Sequence, residues 1–138
     1  ETFEMYVRPK IRPNLSLYIK ALTGITQDTI DQIGKDFITV LHAFRQFVPV
    51  NALLCSNGRD DVILLENCTL HGIDLPFERT DFVNVRPFIM KKLGIRQKFS
   101  SSDLVDRLGL SERKKHDALS DALTVAETLA RCNWRGFF

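Results

Sequence analysis

Two stretches of the sequence place carboxylates, a histidine and a glycine at spacings that suit chemistry. In Asn57-Gly58-Arg59-Asp60-Asp61, two carboxylates follow directly on the apolar run Ala52-Leu53-Leu54-Cys55. A short continuous apolar run reads as a strand buried on both faces. In open α/β sheets ligands bind outside the carboxyl ends of the strands, so these aspartates are placed to face one. The same position also suits a plainer role: an acidic side chain in a first helical turn stabilises that helix by about 0.3–1 kcal/mol. One of the two is expected to do only that. The second stretch is His116-Asp117-Ala118-Leu119-Ser120-Asp121. Asp117 is a good helix N-cap, with Ser120 at the third helical position, which leaves His116 just outside the helix on a hinge. Asp121 falls at the border of an apolar stripe made by Ala118, Ala122, Val125, Ala126 and Leu129. A carboxylate at such a border is costly unless it is paired, hydrated or bound to a cation. An ordinary boundary aspartate beside a surface histidine would give the same pattern.

A third group is cationic: Lys91, Lys92, Arg96 and Lys98, with Lys114 and Lys115 ahead of His116. Six cations over two segments can track a phosphate backbone or form a solvated face. The formal net charge of +2 over 138 residues is far below that of a protein that coats nucleic acid. An enzyme that grips one strand end needs only a local patch, so the balance permits nucleic acid without implying it. The phosphate-loop, dinucleotide and nucleophile-elbow glycine motifs are absent. Cys55, Cys68 and Cys132 are odd in number and lack C-x-x-C spacing, which favours small buried hydrophobes over a disulfide framework or zinc site. His42 reads as packed or surface, His71 as a helix-end cation, and Trp134 and Phe137-Phe138 as packing residues. With no signal peptide and no apolar run approaching the ~18 residues of a membrane span, no membrane association is expected, and a cytoplasmic location (nuclear in a eukaryote) is the expectation.

The elements that must hold these groups alternate between strand and helix patterns. Thr2–Arg8 reads as a half-buried strand, and Asn14 as the cap of a helix over Leu15–Leu22 that stops at Gly24. Thr26 caps a second short helix ending at Gly34. Phe37, Val40, Leu41, Phe44 and Phe47 recur at helical spacing ahead of Pro49. After the 52–55 strand, Asp60 to Leu70 is helical and stops at Gly72. Phe82-Val83-Asn84-Val85 reads as a strand, Pro87 as a helix start, Ser102 as the cap of a helix over Asp103–Leu108, and 118–129 as a long last helix. The class is α/β, one sheet flanked by helices, and the length suits one domain with one core.

In order, Tyr6-Val7-Arg8-Pro9, Leu22-Thr23-Gly24-Ile25-Thr26-Gln27, Gly58-x-x-Asp61 and His116-x4-Asp121 resemble the DEDDh 3′–5′ exonucleases. Within them the resemblance is to the branch of Eri-type and sporulation-inhibitor-type enzymes, and it runs from about residue 3 to residue 130. It implies an RNase H-like fold, with a mixed central sheet flanked by helices. It also implies a metal-dependent 3′–5′ exonuclease acting on single-stranded nucleic acid 3′ ends, RNA slightly favoured over DNA. Asp61 then corresponds to the second-motif metal ligand, Asp121 to the last metal ligand, and His116 to the general base. Asp60 stands where the family usually has an aromatic residue. The family's first motif, D-x-E, lies on a strand tens of residues before Y-V-x-P. It has no counterpart here, so the resemblance implies a single domain over 1–138 that is N-terminally incomplete and lacks its first strands.

The chemistry explains the residue types. A phosphodiester resists attack because the phosphoryl group is anionic and the leaving alkoxide is poor, and two divalent ions about 3.5–4 Å apart address both problems. Mg²⁺ or Mn²⁺ prefers hard oxygen ligands, hence the carboxylates. A histidine, ordinarily titrating near pH ~6.5, can take a water's proton at neutral pH. The alternative is a catalytically inactive exonuclease-like module that binds nucleic acid or protein partners, for which the missing D-x-E and the extra Asp60 both argue.

Overall fold

The computed structural model describes all residues except 112, 113, 115 and 135–138. Lys115 of the cationic group and the Phe137-Phe138 pair therefore lie outside the described residues. The chain groups into two compact units, Glu1–Ala52 with Val62–Asp81, and Leu53–Asp61 with Phe82–Phe138.

The first unit holds α1 (Leu17–Thr23), α2 (Gln27–Ile33), α3 (Phe37–Phe47) and most of α4 (Asp60–His71). Each of the first three begins at a side-chain cap: Ser16, Thr26 and Asp36 accept from the third residue on. The helix expected from Leu15 with Asn14 as its cap starts two residues later, because Ser16 supplies the cap instead, its hydroxyl accepting from Ile19 N–H at 3.2 Å. The strand expected over Thr2–Arg8 reduces to one parallel bridge, Val7 to Lys35, in which Arg8 N–H donates to Lys35 O at 2.7 Å and Lys35 N–H to Tyr6 O at 2.9 Å. One short partner gives too few ladder bonds to extend it. The buried cluster of this unit is Phe37, Leu41 and Cys68, with Leu64, Ile73, Leu75 and Phe77 against it. His42 is exposed, and His71, the last residue of α4, stacks on Phe37 with ring centroids 4.8 Å apart.

The second unit holds β1 (Leu54–Ser56), β2 (Phe82–Asn84), α5 (Arg86–Leu93), α6 (Ser101–Leu108) and α7 (Ala118–Arg131). β1 and β2 pair in parallel, Leu54 against Phe82 and Ser56 against Asn84. Residues of β1 are half-buried rather than covered on both faces, because among the described residues β1 pairs with one strand only. Val85, Phe88, Ile89, Ile95, Phe99, Leu104, Val125 and Leu129 form the core, and Cys55, Cys132 and Trp134 pack against it. All three cysteines are free. The cap expected at Ser102 is displaced to Ser100. Asp103 reciprocates it, accepting from the Ser100 amide at 2.6 Å while Ser100 Oγ accepts from the Asp103 amide at 3.3 Å. α7 begins where expected, with Asp117 accepting from Ser120 N–H at 3.0 Å. Among the described residues no helix is long and apolar enough to cross a membrane.

Candidate active site

The start of α7 fixes Asp121. With Asp117 as cap, residue 121 sits one turn into the helix, and its own amide closes the first helical bond to Asp117 O at 2.9 Å. Its carboxylate borders two clefts. One, of about 570 Å³, is lined on its polar side by Ser56, Asn57, Asp60, Arg86 and Ser101, and floored by Cys55, Phe99, Val125 and Leu129. The other, of about 640 Å³, lies along α6 and α7 and includes Ser101, Ser102, Lys114, Ser120 and Thr124. Asp121 and Ser101 belong to both.

Burial pushes the Asp121 carboxyl above the ordinary aspartate range. His116 counters this through space, Asp117 adds to it, and a hydrogen bond from Ser101 lowers it. A carboxylate held in that state favours a cation beside it. His116 is exposed and takes a left-handed backbone conformation, φ 57°. Only a few per cent of non-glycine residues do so, with histidine among the more tolerant types. The hinge expected ahead of the helix is thus a turn, and the charge of His116 acts through space on Asp121.

Asp61 has a different setting. Arg59 grips it with two parallel bonds, Nε to Oδ1 and Nη2 to Oδ2, both 2.9 Å. The guanidinium is 61% exposed and the carboxylate 18%. The hydrogen bond to Asp61, then its charge, raises the Arg59 pKa. Asp60, rather than Asp61, is among the residues lining the cleft that Asp121 borders. The structure therefore brings His116 and Asp121 together, sets Asp60 in the same cleft, and holds Asp61 on Arg59. Of the cationic group, Lys91, Lys92, Arg96, Lys98 and Lys114 are all exposed, and Lys114 alone lines a cleft with Asp121.

Two contributors carried no local sequence signal. Ser101 acts on Asp121 from another helix. Arg86 bonds to Asn57 across 29 residues, with Nε to Oδ1 at 3.1 Å and Nη2 to the main-chain O at 2.6 Å. Carboxylate oxygens are the donors that a hard divalent cation takes, and the half-buried Asp121 suits one. The donor type fits, but the number is small: among the described residues no group of three or more His, Cys, Asp or Glu side chains is placed to hold a metal.

A profile of the exonuclease family, RNase T type, matches residues 1–129. The nuclease domain of 3′hExo, a DEDDh family member solved with rAMP, superposes with a TM-score of 0.84 at 26% identity, covering 99% of this chain and 73% of that one. The chain belongs to the DEDDh 3′–5′ exonucleases. The expected RNase H-like fold is the one this chain shares with them. A 3′-exonuclease described as recognising the 3′ end of a histone mRNA stem-loop matches with a TM-score of 0.83 at 25% identity, over 99% of this chain and 65% of that one. Curated relatives include human 3′-5′ exoribonuclease 1, 28% identical over 146 residues (95% of this chain, 40% of the relative). The rat protein of that name is 26% identical over 145 residues (95% and 41%). A probable 3′-5′ exonuclease of Bacillus subtilis, KapD, is 34% identical over 80 residues (56% and 38%). The chain thus spans about two fifths of the length of these relatives.

Proposed function

We propose that this exonuclease domain, a single domain over residues 1–138, removes nucleotides from the 3′ ends of single-stranded RNA in a reaction that depends on Mg²⁺ or Mn²⁺. The observation that carries the reading is the head of α7, where Asp121, one turn after the Asp117 cap, lines one cleft with Asp60 and Ser101. The preference for RNA over DNA draws on the relatives, which are named exoribonucleases, and on the solved neighbours, described with rAMP and a histone mRNA stem-loop.

In this reading Asp121 and Asp61 hold the metal. Asp60 is the alternative to Asp61, favoured by its place in the cleft. The bound ions would lower the pKa of the attacking water and stabilise the leaving oxygen. His116 accepts the water's proton on an imidazole nitrogen as the water oxygen bonds to phosphorus. The bond from phosphorus to the leaving 3′ oxygen then breaks, that oxygen takes up a proton, and a 5′-mononucleotide departs. Ser101 orients the Asp121 carboxylate through its hydrogen bond. A two-ion site needs more carboxylates than these residues place there, so the reading includes further acidic ligands from elsewhere in the full protein.

The second reading is a catalytically inactive module that binds nucleic acid or a protein partner; the ion pair that engages Asp61 favours it. Full-length protein on a 3′-labelled RNA strand with Mn²⁺ separates the two. Release of single nucleotides, abolished by EDTA and by Asp121→Asn, supports the enzyme. Intact strand retained in a complex supports the module. Equal turnover of the matching DNA strand removes the RNA preference alone.

A further inference from the structure

We propose that Arg86 is a positioning residue for the aspartates at the head of α4, fixing the loop that leads into that helix; this rests on the metal-dependent reading above. One guanidinium grips Asn57 at two points, the side-chain Oδ1 (3.1 Å) and the main-chain carbonyl (2.6 Å). A fork of this kind sets orientation as well as distance. The arginine is itself anchored. Its amide donates to Asn84 Oδ1 at 3.1 Å at the end of β2, and its guanidinium carbon lies 5.8 Å from the ring centroid of Phe99, a buried core residue.

Asn57 precedes Asp60 by three residues and Asp61 by four, and the intervening loop is tight, with Ser56 Oγ donating to Gly58 O at 3.3 Å. A methyl group built on Gly58 would lie 3.8 Å from both Arg86 Nη2 and Asp60 Oδ1. Guanidinium and carboxylate therefore border the same point of backbone. Arg86, Asn57 and Asp60 then line one cleft with Asp121. The clamp ties the loop after β1 to the junction of β2 and α5, so the carboxylates at the start of α4 keep their place relative to Asp121 through Arg86. Metal sites lose function when ligands drift by about 0.5 Å, and removing an outer partner of a ligand typically costs 10–100-fold in affinity or activity.

The test uses the full-length protein, with Mn²⁺ binding followed by electron paramagnetic resonance and RNA trimming followed in parallel. Arg86→Lys keeps the charge and loses the fork. Its Mn²⁺ affinity is expected to fall about 10–100-fold, with turnover recovering at high Mn²⁺ and KM for RNA unchanged. Asn57→Ala removes one of the two bonds and gives a smaller fall in the same direction; it carries the test if the lysine variant does not fold, which metal-free melting reports. The double variant is no worse than Arg86→Lys alone, because both changes break one contact. Wild-type Mn²⁺ affinity in Arg86→Lys overturns the proposal; if turnover is nonetheless lost at saturating Mn²⁺, the arginine acts on the substrate itself. Strictly additive effects in the double variant overturn it too. A wild-type protein that binds no Mn²⁺ is a different result: it removes the metal reading, and the clamp's role with it.

Discussion

The heads of α4 and α7 begin from nearly the same sequence signal and end in different chemistry. Each offers an aspartate in the first helical turn after a loop, Asp60 and Asp61 in one and Asp121 in the other. At α7 the cap is a neighbouring residue, Asp117, so Asp121 is free to turn inward, where burial raises its pKa and His116 and Ser101 act on it. At α4 Asp61 is met by Arg59, an arginine only two residues away and mostly exposed, and the carboxylate, itself 18% exposed, is engaged by that guanidinium. Position in a helix sets where a carboxylate begins; the neighbours that desolvate or neutralise it set what it can do.

Replacing His116 by Ala tests the α7 side most severely. Turnover on RNA is expected to fall by roughly 10²–10⁴ while Mn²⁺ binding persists; unchanged turnover would remove the general-base role. Next comes the choice between the α4 aspartates. Asp61→Asn is expected to lower Mn²⁺ affinity more than about 100-fold, beyond the loss typical of an outer partner, with Asp60→Asn changing it severalfold. The reverse order would move the ligand to Asp60. Asp117→Ala removes the cap of α7 and should cost about 1 kcal/mol in urea unfolding. Because hydrogen bonds from Ser120 lower the folded pKa of Asp117, that stabilisation is present above the unfolded value and lost as pH falls through the folded one.

The smallest effect has the opposite sign. The folded pKa of Asp121 is raised, so the unfolded chain ionises first as pH rises. The relative stability this group confers is therefore full below the unfolded pKa of 3.8 and is lost as pH rises through the folded value. Asp121→Asn should melt slightly higher than wild type at neutral pH without metal, and lose the increase that Mn²⁺ gives the wild type. A lower melting temperature would mean that the carboxylate is a structural partner rather than a destabilised ligand.

Much of this was legible along the chain. Local capping and apolar spacing gave α2, α3 and α7 their limits, since those signals act within four residues. The start of α1 moved because Ser16 caps it in place of Asn14, and the start of α6 moved because Asp103 pairs with Ser100 rather than joining a helix capped at Ser102. The strand over Thr2–Arg8 had the right alternation but found one short partner. In the candidate site, His116 and Asp121 could be read together because they flank one helix start. Arg86 could not be read, because nothing beside it in sequence hints at Asn57.

The residue types alone determined the family and the class of chemistry proposed: hard oxygen donors with a histidine at a helix entrance, in the order of the DEDDh motifs. Tertiary structure alone decided which carboxylate is drawn out of water, which is held by an arginine, and which distant side chain fixes the loop between them. Electrostatic cost depends on what surrounds a charge in space, and a sequence records only what precedes and follows it.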